Sequence, residues 1–167
     1  MRIDSRTDDD RGGEAAEAEA RPGDLHGRGY VRDRRKEEDR GDPMTRSLVI
    51  SDDGFSSYVK DIDIDNLATT EDIINCTWTT VVTRAIGHGV YMIICDDCGL
   101  MLHKPVTAIK KAVSGNCVPA LFGTLIITGM NEDGDCSDMS DGDIWTVMDS
   151  FAKVVIDGEP RRTVVIG

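Results

Sequence analysis

Val118 to Met130 reads VPALFGTLIITGM, the most apolar stretch of the chain. Its run of Leu, Ile and Thr is the composition of a buried strand, so Leu121–Thr128 is expected to form the centre of a sheet. Gly123 lies inside that run, where a glycine predicts a bulge or a close backbone approach.

Working toward the N-terminus, Val90–Cys95 (VYMIIC) and Trp78–Arg84 (WTTVVTR) are further strand signals, separated by Gly87-His88-Gly89. Asp96-Asp97-Cys98-Gly99 reads as a hairpin turn in which Gly99 takes positive φ, with Leu100–Leu102 returning alongside. Val106, Ile109 and Val113 recur at helical spacing, which predicts a short helix from Lys104 to Ala112 with Pro105 in its first turn. A second helix is expected to open at Thr69, whose hydroxyl can cap free amides, and to end near Asn75 or Cys76. Ser47–Ser51 and Tyr58–Asp65 complete the extended segments on this side.

Toward the C-terminus an acidic loop, Asn131–Asp138, precedes Ser140. That serine and Asp143 have the spacing of a capping box. Ile144, Val147, Met148 and Phe151 then give an apolar helical stripe ending near Ala152. Val154–Ile156 and Thr163–Ile166, around Asp157-Gly158, predict a terminal hairpin. These elements amount to an α+β fold: a small mixed or mainly antiparallel sheet of about six strands with about three short helices.

Composition divides the chain at Met44. Residues 1–43 carry 13 acidic and 10 basic side chains and few large apolar groups. Such a segment cannot bury enough surface to offset the entropy of ordering, and it is expected to be a disordered tail. A translation start at Met44 would account for it equally. Residues 44–167 are expected to form a single α+β domain. They carry 18 carboxylates against 9 cations, a balance that argues against binding a nucleic-acid backbone or an anionic membrane. The chain opens without a signal-peptide pattern and has no membrane-length apolar run. A cytoplasmic location and five reduced cysteines are expected.

The middle of the chain resembles a known family, DUF3846, a domain of unknown function found in phage and bacterial proteins. The resemblance runs from Leu67 to Phe151. It is carried by a short helix, the strand Trp78–Arg84, Cys95-Asp96-Asp97-Cys98-Gly99, Leu102-His103-Lys104-Pro105, Leu121–Gly129, and a final helix after Met139-Ser140-Asp141-Gly142-Asp143-Ile144. Cys98 stands at a turn position the family usually gives to a polar residue, and Met44–Asp65 lies outside the resemblance. The resemblance implies a small intracellular domain, encoded by a mobile element or its host, and supplies no activity.

Several residue patterns invite a chemical reading. Cys95-x2-Cys98-Gly99 has the spacing of a zinc knuckle, but a structural zinc needs two more ligands, for which His103, Cys117, Cys76 and Cys136 are the candidates. Redox use of the pair would need a depressed thiol pKa, which Asp96 and Asp97 oppose. Asp61, Asp63 and Asp65 alternate like the opening of a calcium loop with Asp72 at its twelfth place, yet Asn66 stands where the turn glycine belongs. The acids Asp133, Asp135, Asp138, Asp141 and Asp143 lack a loop register. His88 and His103 have no nucleophile elbow or phosphate loop beside them. No catalytic, cofactor-binding or metal residue is therefore assigned and no cofactor is expected; the chain leans away from an enzyme. The sequence favours an accessory protein that binds another protein. The alternatives are an acidic mimic of nucleic acid, a zinc-stabilised module and an enzyme of unknown type.

Overall fold

A computed structural model describes residues 44–167; the expected disordered tail lies outside the described residues. Ten strands and two helices follow in the order β1 (Met44–Ile50), β2 (Ser57–Asp63), α1 (Leu67–Ile74), β3 (Thr79–Ile86), β4 (Gly89–Asp96), β5 (Val106–Lys111), β6 (Cys117–Phe122), β7 (Leu125–Met130), β8 (Cys136–Ser137), α2 (Asp141–Asp149), β9 (Phe151–Ile156) and β10 (Glu159–Ile166). They form two sheets. The first runs β2-β1-β7-β4-β3, with β8 added to β7, and every pairing in it is antiparallel. The second runs β6-β5-β10-β9 and contains one parallel pairing, β5 with β10.

Alternation of side chains across a strand decides how the layers bury one another. Leu48, Ile50, Tyr91, Ile93, Cys95, Leu125 and Ile127 leave one face of the first sheet and join Ala108, Val164 and Ile166 of the second. Met139 and Val147, at and within α2, complete that core. Val49, Ile94 and Ile126 leave the opposite face and pack with Ile62 and with Ile74 of α1. The first sheet is thus covered on both faces, which is why β7 reads as a continuous apolar run rather than an alternating one. Each fully buried Ile or Leu contributes on the order of 1.5–3 kcal/mol through area removed from water.

Both helices are capped locally. Ser140 accepts from the Asp143 amide and the Asp143 carboxylate accepts from Ser140, the reciprocal box expected for α2. Asn66, not Thr69, caps α1 and accepts from the Thr69 amide, so the helix starts two residues before Thr69, at Leu67. The predicted helix over Lys104–Ala112 is instead β5. Val106, Thr107, Ala108 and Ile109 are all buried, a pattern suited to a strand flanked by two others and not to a one-faced helix. The long central strand is two strands belonging to different sheets, broken at Gly123, whose φ is +78°. A left-handed residue cannot continue a strand, and a Cβ there would lie 2.9 Å from Lys104 Cδ. Phe151 and Ala152 leave the predicted helix and open β9, as its terminal hairpin with β10 requires.

Candidate functional site

The loop between β4 and β5 is built on a buried ion pair. Asp96 closes β4 with a side chain only 1% exposed, and its Oδ2 lies 2.6 Å from Lys104 Nζ. The contact is close but lies outside hydrogen-bond alignment, so opposite charge is what holds Oδ2. Oδ1 accepts the Cys98 amide at 2.8 Å, and Lys104 Nζ donates to the Asn75 carbonyl at the end of α1, 2.7 Å away. These added bonds offset part of the desolvation that makes a buried pair costly.

Between these anchors the chain winds tightly instead of returning as a strand. The Leu102 amide donates to Cys98 and the Lys104 amide to Gly99, while His103 adopts a left-handed φ of +53°. Gly99 does not take the positive φ expected of it. Its role is close approach: a Cβ would lie 3.0 Å from the Phe122 carbonyl oxygen of β6. The outcome is a firm loop that presents Leu100, Met101 and Leu102 at 65%, 78% and 62% exposure. Trp78, 68% exposed, leaves the same end of the first sheet, where its carbonyl accepts the Asp97 amide at 3.1 Å. Clefts flank Leu100 on either side. One, of about 180 Å³, is walled by Thr80, Val82, Cys95, Asp97 and Leu121; the other, of about 260 Å³, by His103, Pro105, Val106, Ile156 and Arg161. Phe122 lines both.

The thiols do not converge. Cys95 belongs to the core between the sheets, and burial, reinforced by Asp96 and Asp97, pushes its pKa up to about 11. Burial and then Asp96 also raise Cys76. Cys117 is exposed on β6, and Cys136 sits on β8 beside Met92, 3.8 Å between sulfurs. Among the described residues no three His, Cys, Asp or Glu side chains are gathered as a metal shell, so Cys95 and Cys98 gain no further ligands. Depression of a thiol pKa, the mark of a reactive cysteine, is the reverse of what Cys95 experiences.

The acids are likewise dispersed into structural tasks. Asp61 and Asp63 lie on β2 opposite Arg46 and Met44, an extended edge that cannot wrap a cation, and Asn66 is a helix cap. Asp138 accepts the Arg46 amide at 2.7 Å, Asp141 pairs with the Arg46 guanidinium at 2.6 Å, and Asp143 belongs to the capping box. Hydrogen bonds from Ser140 hold Asp143 below the ordinary carboxylate value. His88 is exposed at the β3–β4 turn, at the opposite end of β4 from Cys95 and His103, roughly 20 Å away at strand rise.

Charge is segregated between the sheets. The four strands of the second sheet carry Lys110, Lys111, Lys153, Arg161 and Arg162 against Glu159 alone. The remaining described residues hold four cations and seventeen carboxylates. A third cleft, of about 370 Å³, lies within this basic sheet's reach, walled by Phe55, Lys153, Pro160, Arg161 and Arg162. The signal was present in the terminal hairpin, where three cations fall between Lys153 and Arg162, but a whole-domain charge balance averages it away.

The chain belongs to the family described as Domain of unknown function (DUF3846), which matches residues 44–152. The match takes in Leu67–Phe151 and extends over β1 and β2, which the resemblance had left out. It ends at the start of β9, so β10 and the third cleft's cations lie beyond it. No curated protein and no solved structure matches the chain. Among the described residues no helix is long and apolar enough to cross a membrane.

Proposed function

We propose that this chain is an accessory protein that acts by docking a protein partner on the end formed by Trp78 and Leu100–Leu102. The observation that carries this reading is the exposure of three large apolar side chains on a loop fixed by a buried ion pair, with a fourth, Trp78, at the same end. Scattered exposed apolar residues need no explanation, but three in succession on a firm loop, joined by a tryptophan at the same end, make an anchor set. Rigidity lowers the entropy lost on binding, and the clefts beside Leu100 can receive partner side chains.

Affinity capture from the natural source tests it, comparing the wild type with a Trp78→Ser/Met101→Asp variant. A partner retained by the wild type through high salt and lost from the variant supports apolar docking. Equal capture by both proteins overturns it. A second reading, an acidic mimic of nucleic acid, draws support from the concentration of carboxylates outside the second sheet. That reading expects capture of a nucleic-acid-binding protein by both proteins alike, with release at moderate salt.

A further inference from the structure

We propose that the cleft of Phe55, Lys153, Pro160, Arg161 and Arg162 is a nucleotide site, with the cations holding the phosphate and Phe55 receiving the base. Of its five residues only Arg161 also lines a cleft beside Leu100, and four of the five lie beyond the family match.

Three observations converge. Lys153 and Arg162 are directly opposed in the β9–β10 register, and Arg161 adjoins them. Like charges opposed across a strand pair destabilise it. In a chain with far more carboxylates than cations, compensation would be easy to supply. Yet among the described residues no carboxylate lies within ion-pair distance of any of the three. An anionic ligand would relieve that repulsion.

One of the cations is also held in place. The Arg162 guanidinium stacks 4.4 Å above the Phe151 ring, which restricts it and leaves its edge for hydrogen bonds. Arginine offers a fork matched to phosphate oxygens, and lysine adds a point charge.

Phe55 is the third observation. It is 72% exposed in the six-residue turn between β1 and β2, but it is not loose. The Asp53 carboxylate accepts the Phe55 and Ser56 amides, each at 2.8 Å, and the Ser56 hydroxyl. Gly54 rests against the Arg162 backbone, where a Cβ would lie 3.6 Å from its carbonyl oxygen. The Asp53 carboxylate is thus engaged within its own turn, and the turn delivers an aromatic ring to a cationic wall. Phosphate-binding cations beside a fixed ring are the chemistry that recognises a nucleotide, free or within a single strand. The cleft's size lies within the range of small-ligand sites.

Amide NMR titration of the full chain tests the assignment, with adenosine monophosphate, adenosine, inorganic phosphate and a short oligothymidylate as probes. Adenosine monophosphate is expected to shift Phe55, Lys153, Arg161 and Arg162 in low salt. Arg161→Ala and Lys153→Ala should each weaken it about tenfold, the scale of a lost charge-assisted contact. Phe55→Ala, at an exposed position, should weaken the nucleotide but not inorganic phosphate. Tighter binding of the oligothymidylate than of the mononucleotide would support the site with its ligand in a strand; the reverse would support it with a free nucleotide. Inorganic phosphate binding as well as the nucleotide would overturn the assignment by removing the ring's part. So would the absence of shifts at these residues with every probe at millimolar concentration.

Discussion

The two sheets share a core but are assembled by different rules. In the first, the β1–β2 and β3–β4 hairpins flank β7, which is inserted between β1 and β4. In the second, the β5–β6 and β9–β10 hairpins are joined through the parallel pairing of β5 with β10. The first is buried on both faces over β7, whereas the second carries a local excess of cations. Hairpins can form from neighbouring residues, while a parallel pairing must wait for distant chain to arrive. The junction between these two regimes is the 97–105 loop, and the ion pair beneath it is where the contrast can be tested hardest.

Lys104→Ala should have the largest effect. It leaves the Asp96 carboxylate buried without its counter-charge, a loss of about 3–5 kcal/mol by the usual cost of breaking a buried pair. Arg46→Ala removes a pair whose aspartate, Asp141, is 81% exposed, and the pair's own share should be below about 1 kcal/mol. Urea denaturation of both variants checks the ranking. Equal losses would show that the 97–105 junction is no more critical than the acidic edge.

Gly123→Ala comes next, at the break between β6 and β7. Its positive φ costs an alanine about 1–2 kcal/mol, and the added methyl group must displace the Lys104 side chain. Thermal unfolding measures the sum, and a double variant with Lys104→Ala should show less than additive loss, because the two positions are in contact. Full additivity would mean that the glycine serves β6 and β7 alone and has no part in seating the ion pair.

Legibility followed the same division. The first sheet's hairpin strands were readable because β-branched runs and turn residues are local signals, as in Thr79–Ile86, Gly87 and Gly89–Asp96. The Ser140–Asp143 box and the terminal hairpin were readable for that reason too. β5 was not: Val106 and Ile109 suit a helical stripe, and the segment is a strand because it is held between β6 and β10, the second of them far along the chain. The break at Gly123 was equally hidden, since a bulge within one strand and a step between two sheets place the same demand on a glycine. At the candidate docking end the loop's sequence displays the Cys95 and Cys98 spacing, whereas the exposure of its apolar residues and the Asp96–Lys104 pair exist only in three dimensions. Charge segregation needed the strand order as well.

A smaller effect tests the helix that closes the shared core. Ser140→Ala removes the cap of α2 and should cost about 1 kcal/mol. The same box sets a pH dependence. Ser140 holds Asp143 below the ordinary value of 3.8, so this contribution is complete above that value and fades as pH falls through the depressed one. In Ser140→Ala the acid-side decline in stability should be shallower than in the wild type, as read by denaturant midpoints across the acid range. An unchanged profile would assign the depression to donors the substitution keeps, the Ser140 amide and then Tyr91, whose hydroxyl lies 3.1 Å from Asp143.

The smallest effect is expected where the side chains are largest. Met101→Ser and Trp78→Ser remove apolar groups that are mostly in water already, so each should change stability by no more than about 0.5 kcal/mol. The comparison with Lys104→Ala is then sharp, because both kinds of substitution fall at one end of the molecule. The buried pair would govern folding, and the residues it supports would be dispensable for it. Large losses from the serine variants would instead make Trp78 and Met101 part of the fold's own packing and remove the reason to assign them to a partner. Small losses joined to lost capture would separate the scaffold from the surface it presents.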